Sequence, residues 1–170
     1  MLKEGDKAPL FELPGDDGHV HSLTQSMGNW VVLYFYPQDL TPGCITEACE
    51  FNEALNELSQ CDAVVLGVSK DSLASHVRFK SKYGLGFPLL SDADLAIHKA
   101  YGAFGEKTNY GKTSIGTIRT TVVIDPNGKV AKIWSKVRVK DHVKAVTDWL
   151  QKVNGKATEL MSKAIRLRGK

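Results

Sequence analysis

From Tyr34 to Cys49 the chain reads Tyr-Phe-Tyr-Pro-Gln-Asp-Leu-Thr-Pro-Gly-Cys-Ile-Thr-Glu-Ala-Cys. An apolar, β-prone stretch, Trp30 to Tyr36, runs into a turn rich in proline and glycine, and a segment of helical composition, Ile45 to Leu58, follows at once. Cys44 therefore falls where a strand hands over to the N-terminus of a helix. There the unpaired backbone N–H groups and the positive end of the helix dipole favour an anion. The thiolate is such an anion and is the reactive form of cysteine. A second thiol, Cys49, follows five residues later. The run reads as a redox nucleophile with a partner thiol nearby. The third cysteine, Cys61, sits where a helix ends and an apolar strand begins, and reads as a small buried hydrophobe.

Outward from this run, strands and helices alternate. A short hairpin is expected over Leu10–Leu13 and His19–Leu23, around the turn Pro14–Gly18. Strand Trp30–Tyr36 leads to a helix over about Gly43–Ser59. Ala63–Ser69 is an unbroken apolar run, as for a strand buried on both faces. Asp71 or Ser72 can cap a helix to about Tyr83, and Phe87–Leu90 is a short strand. A short helix over Asp92–Tyr101, capped by Ser91 or Asp92, follows. The Gly-rich stretch Ala103–Thr117 reads as a flexible loop without a phosphate-binding pattern. Strand Arg119–Ile124 then turns at Asp125-Pro-Asn-Gly128 into Lys129–Trp134. Asp141 starts a helix through Leu150, with Asn154-Gly155 as its expected stop. The order implies a layered α/β fold with antiparallel pairing at one edge.

With 170 residues, 42% hydrophobic and 24% charged, the chain fits one domain with a full core. No apolar run approaches the roughly 18 residues that span a bilayer, so no membrane association is expected. The first residues lack an apolar signal core, and an odd cysteine count argues against a disulfide-stapled secreted scaffold. A reducing, cytoplasmic setting is expected. The net charge of +3 comes from the end of the chain: after Val153 there are five basic residues and one acid. The body is nearly neutral, which gives no general case for nucleic-acid binding. Ala157, Leu160, Met161, Ala164 and Ile165 recur at helical spacing. Residues 1–153 thus read as the domain and 154–170 as a basic amphipathic helical extension, a packing helix with a solvated face ahead of the alternative, an element that binds an anionic surface or partner.

Thr41-Pro-Gly-Cys44, preceded by Pro37 and followed by Glu47-Ala48 and Phe51, resembles the signature of the peroxiredoxins. Cys49, five residues on, is similar to the bacterioferritin comigratory protein (PrxQ) subgroup. The likeness extends over about residues 1–153 through Leu90-Ser-Asp92, Tyr101-Gly102, Gly105-Glu-Lys107, Gly111-Lys112 and Arg119 before Ile124-Asp125. Ile45 departs from it, since the subgroup usually has a small hydroxylated residue there. The resemblance implies a thioredoxin-like fold: a central mixed sheet flanked by helices, with an N-terminal hairpin and here an appended C-terminal helix. It implies a peroxidase acting on hydrogen peroxide and organic hydroperoxides, with no cofactor and no metal. Cys44 would be the peroxidatic nucleophile and Cys49 the resolving thiol. Thr41 would orient the peroxide, Arg119 would stabilise the thiolate and the developing charge, and Pro37 would wall the pocket. The implied partner is a thioredoxin-like dithiol reductant, and the implied assembly is a monomer.

Acidity alone does not explain such a site. A thiol near the reference pKa of about 8.5 is roughly 3% ionised at pH 7, and one near 6 roughly 90%. Intrinsic nucleophilicity falls roughly 10- to 20-fold over the same change. The acceleration must come from donors aimed at the peroxide oxygens. Helix geometry sets a second condition. Residues five apart stand ~140° apart, with Cα atoms roughly 8–9 Å apart, whereas a disulfide needs less than about 7 Å. The first helical turns must unwind before Cys44 and Cys49 can bond.

Competing readings are weaker. A thioredoxin-like thiol-disulfide oxidoreductase is expected to carry Cys-x-x-Cys here, yet Thr41 holds the earlier position. A peroxide sensor or redox relay could use the same thiols, and turnover separates it from a catalyst. His19, His21, His76, His98 and His142 show no zinc-type spacing with the thiols and read as surface residues. Glu47 and Glu50 read as acids near a helix N-terminus.

Overall fold

The computed structural model describes residues 1–168, without the side chains of Asn109 and of residues 156–161. Its centre is a five-stranded sheet in the order β5-β4-β3-β8-β9. The strands are β3 (Trp30–Phe35), β4 (Ala63–Ser69), β5 (Leu89–Ser91), β8 (Thr120–Ile124) and β9 (Val130–Trp134). β3 pairs parallel with β4, and β4 with β5; β3–β8 and β8–β9 are antiparallel. The sheet is therefore mixed, as expected.

Strand alternation divides the core into two layers. Val32, Tyr34 and Tyr36 face one side with Phe51, Leu58, Phe79, Val146 and Leu150. Those partners come from α2 (Pro42–Glu53), α3 (Leu55–Gln60), α4 (Leu73–Tyr83) and α6 (His142–Arg168). Val31, Leu33 and Phe35 face the other side with Phe11, Leu66, Val122, Ile124 and Tyr101. Gly67 lies opposite Tyr34 in the β3–β4 register. A Cβ there would sit 3.0 Å from the Tyr34 ring and from Leu89, so the glycine makes room for the aromatic stack above the sheet.

The opening hairpin is shorter than expected, β1 (Glu12–Pro14) with β2 (Val20–Ser22). A four-residue helix, α1 (Leu23–Ser26), follows it, closed by a Ser22–Gln25 capping box. Ser72 caps α4 by accepting from the Ser75 N–H, and Gly84 ends it in the left-handed conformation.

Four expectations are corrected. The helix expected over Gly43–Ser59 is two helices divided at Ala54. There the Asn52 amide is drawn to the Gly84 carbonyl and the Gly86 N–H instead of solvent. The short helix expected from Asp92 is only α5 (Ala96–Ala100), entered through Leu95 at φ +63°. The loop expected over Ala103–Thr117 is a hairpin, β6 (Phe104–Asn109) with β7 (Lys112–Thr117). Tyr110 and Gly111 both take positive φ at its tip, the geometry of a two-residue hairpin turn. The expected stop at Asn154-Gly155 does not occur. α6 runs unbroken for 27 residues, and the Asn154 side-chain amide donates to the Leu150 carbonyl instead of capping. Of the expected apolar stripe on this extension, Ala157, Leu160 and Met161 lie outside the described side chains; Ala164 and Ile165 are exposed.

Candidate active site

Cys44 is the third residue of α2, after Thr41 as N-cap and Pro42 and Gly43 as the first helical positions. Proline is suited to that place because its missing N–H is one of the unbonded donors anyway. The first backbone bond of the helix runs from the Ile45 N–H to the Thr41 carbonyl, 2.8 Å. The thiol is almost fully buried, at 1% exposure.

Arg119 reaches Cys44 from across the sheet. It precedes β8, and β8 is registered so that Thr120 pairs with Phe35 at the end of β3. Its carbonyl accepts from the Val137 N–H, which fixes the backbone. The guanidinium donates from Nη2 to Cys44 Sγ at 3.3 Å and from Nη1 to Glu47 Oε1 at 2.6 Å. Gly43 lets it come this close, since a Cβ there would meet Arg119 Nη2 at 3.3 Å and Val139 at 3.9 Å. Burial works against the charge on Arg119, but Glu47 and Cys44 outweigh it and hold the guanidinium above its ordinary pKa.

Glu47 corrects the sequence reading. It is not a solvated acid at a helix start but a fully buried one, a turn after Cys44 on the face of α2 that carries Ala48 and Phe51. Burial pushes its carboxyl up to about 7, against the pull of Arg119 and with a small push from Glu50. Its Oε2 has no hydrogen-bond partner among the described residues. The spacing of three from Cys44, in step with Ala48 and Phe51, was the signal available for its burial.

Thr41 is half-buried and its hydroxyl donates to the Gln38 carbonyl at 2.8 Å, leaving oxygen lone pairs to accept. Pro37 is half-buried in the same loop. Cys49 is half-buried on α2, and burial followed by the charge of Glu53 raises its thiol pKa. Ile45 packs against the helix-side core. Cys61 is buried at the far end of the sheet, just before Ala63, which pairs with Trp30. The five residue steps from Trp30 to Phe35 place it about 16 Å away along β3.

The surface reading of the histidines fails for three of the five. His76, His98 and His142 are buried. His76 faces Asp39 and His98 faces Asp92, each at 2.6 Å. His142 Nε2 meets the Thr121 hydroxyl at 2.8 Å. Burial first, and Arg119 second, push His142 down to about 4, so its ring is neutral beside the guanidinium. His76 and His142 meet partners 37 and 21 residues away in sequence, which leaves no local pattern. Among the described residues no cluster of His, Cys, Asp and Glu has metal-site geometry, and no helix is long and apolar enough to cross a membrane.

The comparisons agree with this architecture. The family model described as the AhpC/TSA family matches residues 4–133. The chain is 47% identical over 145 residues to a putative peroxiredoxin bcp of Coxiella burnetii, covering 85% of this chain and 96% of the relative. It is 43% identical over 155 residues to peroxiredoxin Bcp of Bacillus subtilis, covering 91% and 99%. Among solved structures, the Xanthomonas campestris bacterioferritin comigratory protein, studied for its alkyl peroxide reduction activity, superposes with a TM-score of 0.82. It is 39% identical and covers 91% of this chain and 98% of its own.

Proposed function

Because the chain belongs to the AhpC/TSA family, as a peroxiredoxin similar to the Bcp and PrxQ proteins, we propose that its thiol peroxidase cycle is carried by Cys44, with Thr41, Pro37 and Arg119 around the thiol and Cys49 resolving it. The observation that carries this reading is the Arg119 Nη2 to Cys44 Sγ contact of 3.3 Å at the start of α2. The Cys44 thiolate attacks one peroxide oxygen, the O–O bond breaks, and the leaving alkoxide or hydroxide takes up a proton. The products are a Cys44 sulfenic acid and an alcohol or water. Arg119 faces the charge on sulfur and, through the same fork, the charge developing on the oxygens. Thr41, its own hydrogen donated to Gln38, accepts from the peroxide O–H. Pro37 limits water at the loop.

In the second step the Cys49 thiol attacks the sulfenic sulfur, water leaves, and a Cys44–Cys49 disulfide forms. Both residues lie within the continuous helix α2, so the first turns must unwind to close the bond. An external thioredoxin-like dithiol then returns both thiols and is itself oxidised to a disulfide. Peroxides of either kind, hydrogen or alkyl, are the substrates. We place the reaction in a cytoplasmic, reducing compartment, with a monomer as the working unit and residues 154–170 as an extension outside the catalytic domain.

The test is a peroxidase assay of wild type, Cys44→Ser and Cys49→Ser with thioredoxin or dithiothreitol. The reading requires loss of turnover in Cys44→Ser with both reductants. It requires Cys49→Ser to fail with thioredoxin yet retain turnover with dithiothreitol. Absence of a Cys44–Cys49 linkage by mass spectrometry after one peroxide equivalent would remove Cys49 from the cycle.

A further inference from the structure

The buried Tyr36 and then five loop residues, Pro37 to Thr41, connect the end of β3 to the helix that carries Cys44. Gln38 and Leu40 are exposed, and Pro37 and Thr41 are half-buried. Asp39 alone points inward, at 6% exposure, and its bonding is dense. Oδ1 accepts from the Tyr36 hydroxyl at 2.6 Å. Oδ2 accepts from the Ser75 hydroxyl at 2.8 Å and faces His76 Nδ1 at 2.6 Å. The Asp39 N–H donates to Asp71 Oδ2 at 2.9 Å, and that oxygen also takes the Ser69 hydroxyl at 2.6 Å.

His76 closes the set. Its Nε2 lies 3.0 Å from the Leu90 carbonyl. A carbonyl only accepts, so Nε2 carries the hydrogen there, and one further proton is shared between Nδ1 and Asp39. The loop is thereby tied to β4, β5 and α4 through one residue, two positions from Pro37 and two from Thr41. Beyond it, Leu40 sits at φ +63°, a conformation that costs a leucine energy and that the tether must hold.

We propose that Asp39 and His76, with Tyr36 and Ser75, are positioning residues that hold the Cys44 loop in its wound form and so set how readily α2 unwinds to meet Cys49. The inference rests on the unwinding cycle proposed above. Two fates then compete for the Cys44 sulfenic acid. Attack by Cys49 expels water and forms the disulfide from the unwound form. Attack on a second peroxide gives sulfinic acid and an alcohol or water from the wound form. Weakening the tether raises the unwound population from a small value, so it speeds resolution while leaving the first peroxide reaction almost unchanged.

Tyr36→Phe and Ser75→Ala each remove one donor to Asp39 and keep the pair with His76. A hydrogen bond to a charged group is worth roughly tenfold or more in such an equilibrium. The measurements are the rate of the first peroxide reaction by stopped flow and the peroxide concentration that gives half sulfinic Cys44 in a single turnover, by intact mass. That concentration should rise about tenfold in Tyr36→Phe, with Ser75→Ala in the same direction, while the first reaction stays within about threefold. A purely structural network would lower the melting temperature and leave the half-sulfinic concentration where it is in wild type, and that result overturns the proposal. Should wild type form no Cys44–Cys49 disulfide, the cycle itself fails, a result separate from an unchanged ratio in a wild type that does form it.

Discussion

Replacing Glu47 by glutamine should make the protein gain stability relative to wild type as pH rises from acid to alkaline values. In the folded protein burial holds the Glu47 carboxyl at about 7, above its ordinary value of 4.5. A raised carboxyl pKa means that the folded state keeps a proton the unfolded chain has lost. The stabilisation is full below about pH 4.5, falls as pH rises through the window to about 7, and is gone above it. The whole window corresponds to roughly 3 kcal/mol. Between pH 5 and 8, Glu47 alone should cost wild type roughly 2–3 kcal/mol. Glutamine stays neutral throughout. Its altered hydrogen bonding and packing add an offset that does not depend on pH, and the pull of Arg119 on the carboxylate is already contained in the value of about 7. The assay is urea unfolding of both reduced proteins from pH 5 to 8, taking the difference so that other titrating groups cancel. The gap should widen by roughly 2–3 kcal/mol in favour of Glu47→Gln as pH rises. Parallel profiles would refute the reasoning, because they would mean that Arg119 keeps Glu47 ionised at both ends of the range.

Three further outcomes follow from the same contacts. Arg119→Lys should lose about 100-fold in peroxide kcat/KM, because a point charge cannot face Cys44 and the peroxide with one planar fork; full recovery at a pH where the thiol is wholly ionised would make ionisation the main effect instead. Gly43→Ala should lower kcat/KM several-fold by displacing Arg119 Nη2, which lies 3.3 Å from the new Cβ. Its melting temperature should be unchanged or higher, since alanine gains up to about 1 kcal/mol over glycine in a helix; wild-type kinetics would show that the guanidinium relaxes without consequence. His142, held down to about 4 by burial and then by Arg119, is neutral when folded and takes a proton near 6.5 when unfolded. Wild type should therefore lose stability as pH falls from about 6.5 to 4, and His142→Gln should lose less over that range in thermal melts. An equal acid slope in both proteins would contradict it.

Local chemistry was legible in the sequence, and long-range pairing was not. The strand-to-helix turn at Cys44, the apolar run Ala63–Ser69 and the Ser72 cap each follow from neighbouring residues. Arg119 was reachable only through the family resemblance, because it meets Glu47 across 72 residues through the antiparallel β3–β8 register. Glu47 itself was misread because an acid near a helix start has a simple solvated explanation. Its spacing in step with Ala48 and Phe51 was the one sequence sign that this turn of α2 faces inward. The β6–β7 hairpin was missed for a different reason. Its strands are mostly polar, with four of the six β7 residues exposed, so no alternation of apolar residues announces it. The Asn154-Gly155 stop failed because an exposed helix accommodates glycine at a cost of about 1 kcal/mol, which a 27-residue helix can absorb.

Arg119 and Glu47 change the meaning of the unwinding step. One guanidinium serves two acidic groups a helical turn apart, Cys44 and Glu47, and both sit in the part of α2 that the proposed cycle requires to open for Cys49. In the wound form Glu47 is buried with one oxygen unpartnered among the described residues, and that burial holds its proton until about pH 7. Opening these turns returns the carboxyl to water and so releases its proton wherever the pH exceeds its ordinary 4.5. The wound form is thus held partly by a proton on Glu47 and becomes easier to open as that proton is lost. Cys49, whose thiol is raised by burial and by Glu53, also becomes a better nucleophile as pH rises. Both effects push the resolving step in one direction, and each acts through a carboxylate on α2. The charge pattern of this one helix therefore bears on both halves of the proposed cycle: Glu47 shares Arg119 with the attacking thiol, and Glu47 and Glu53 set the conditions under which the second thiol takes over.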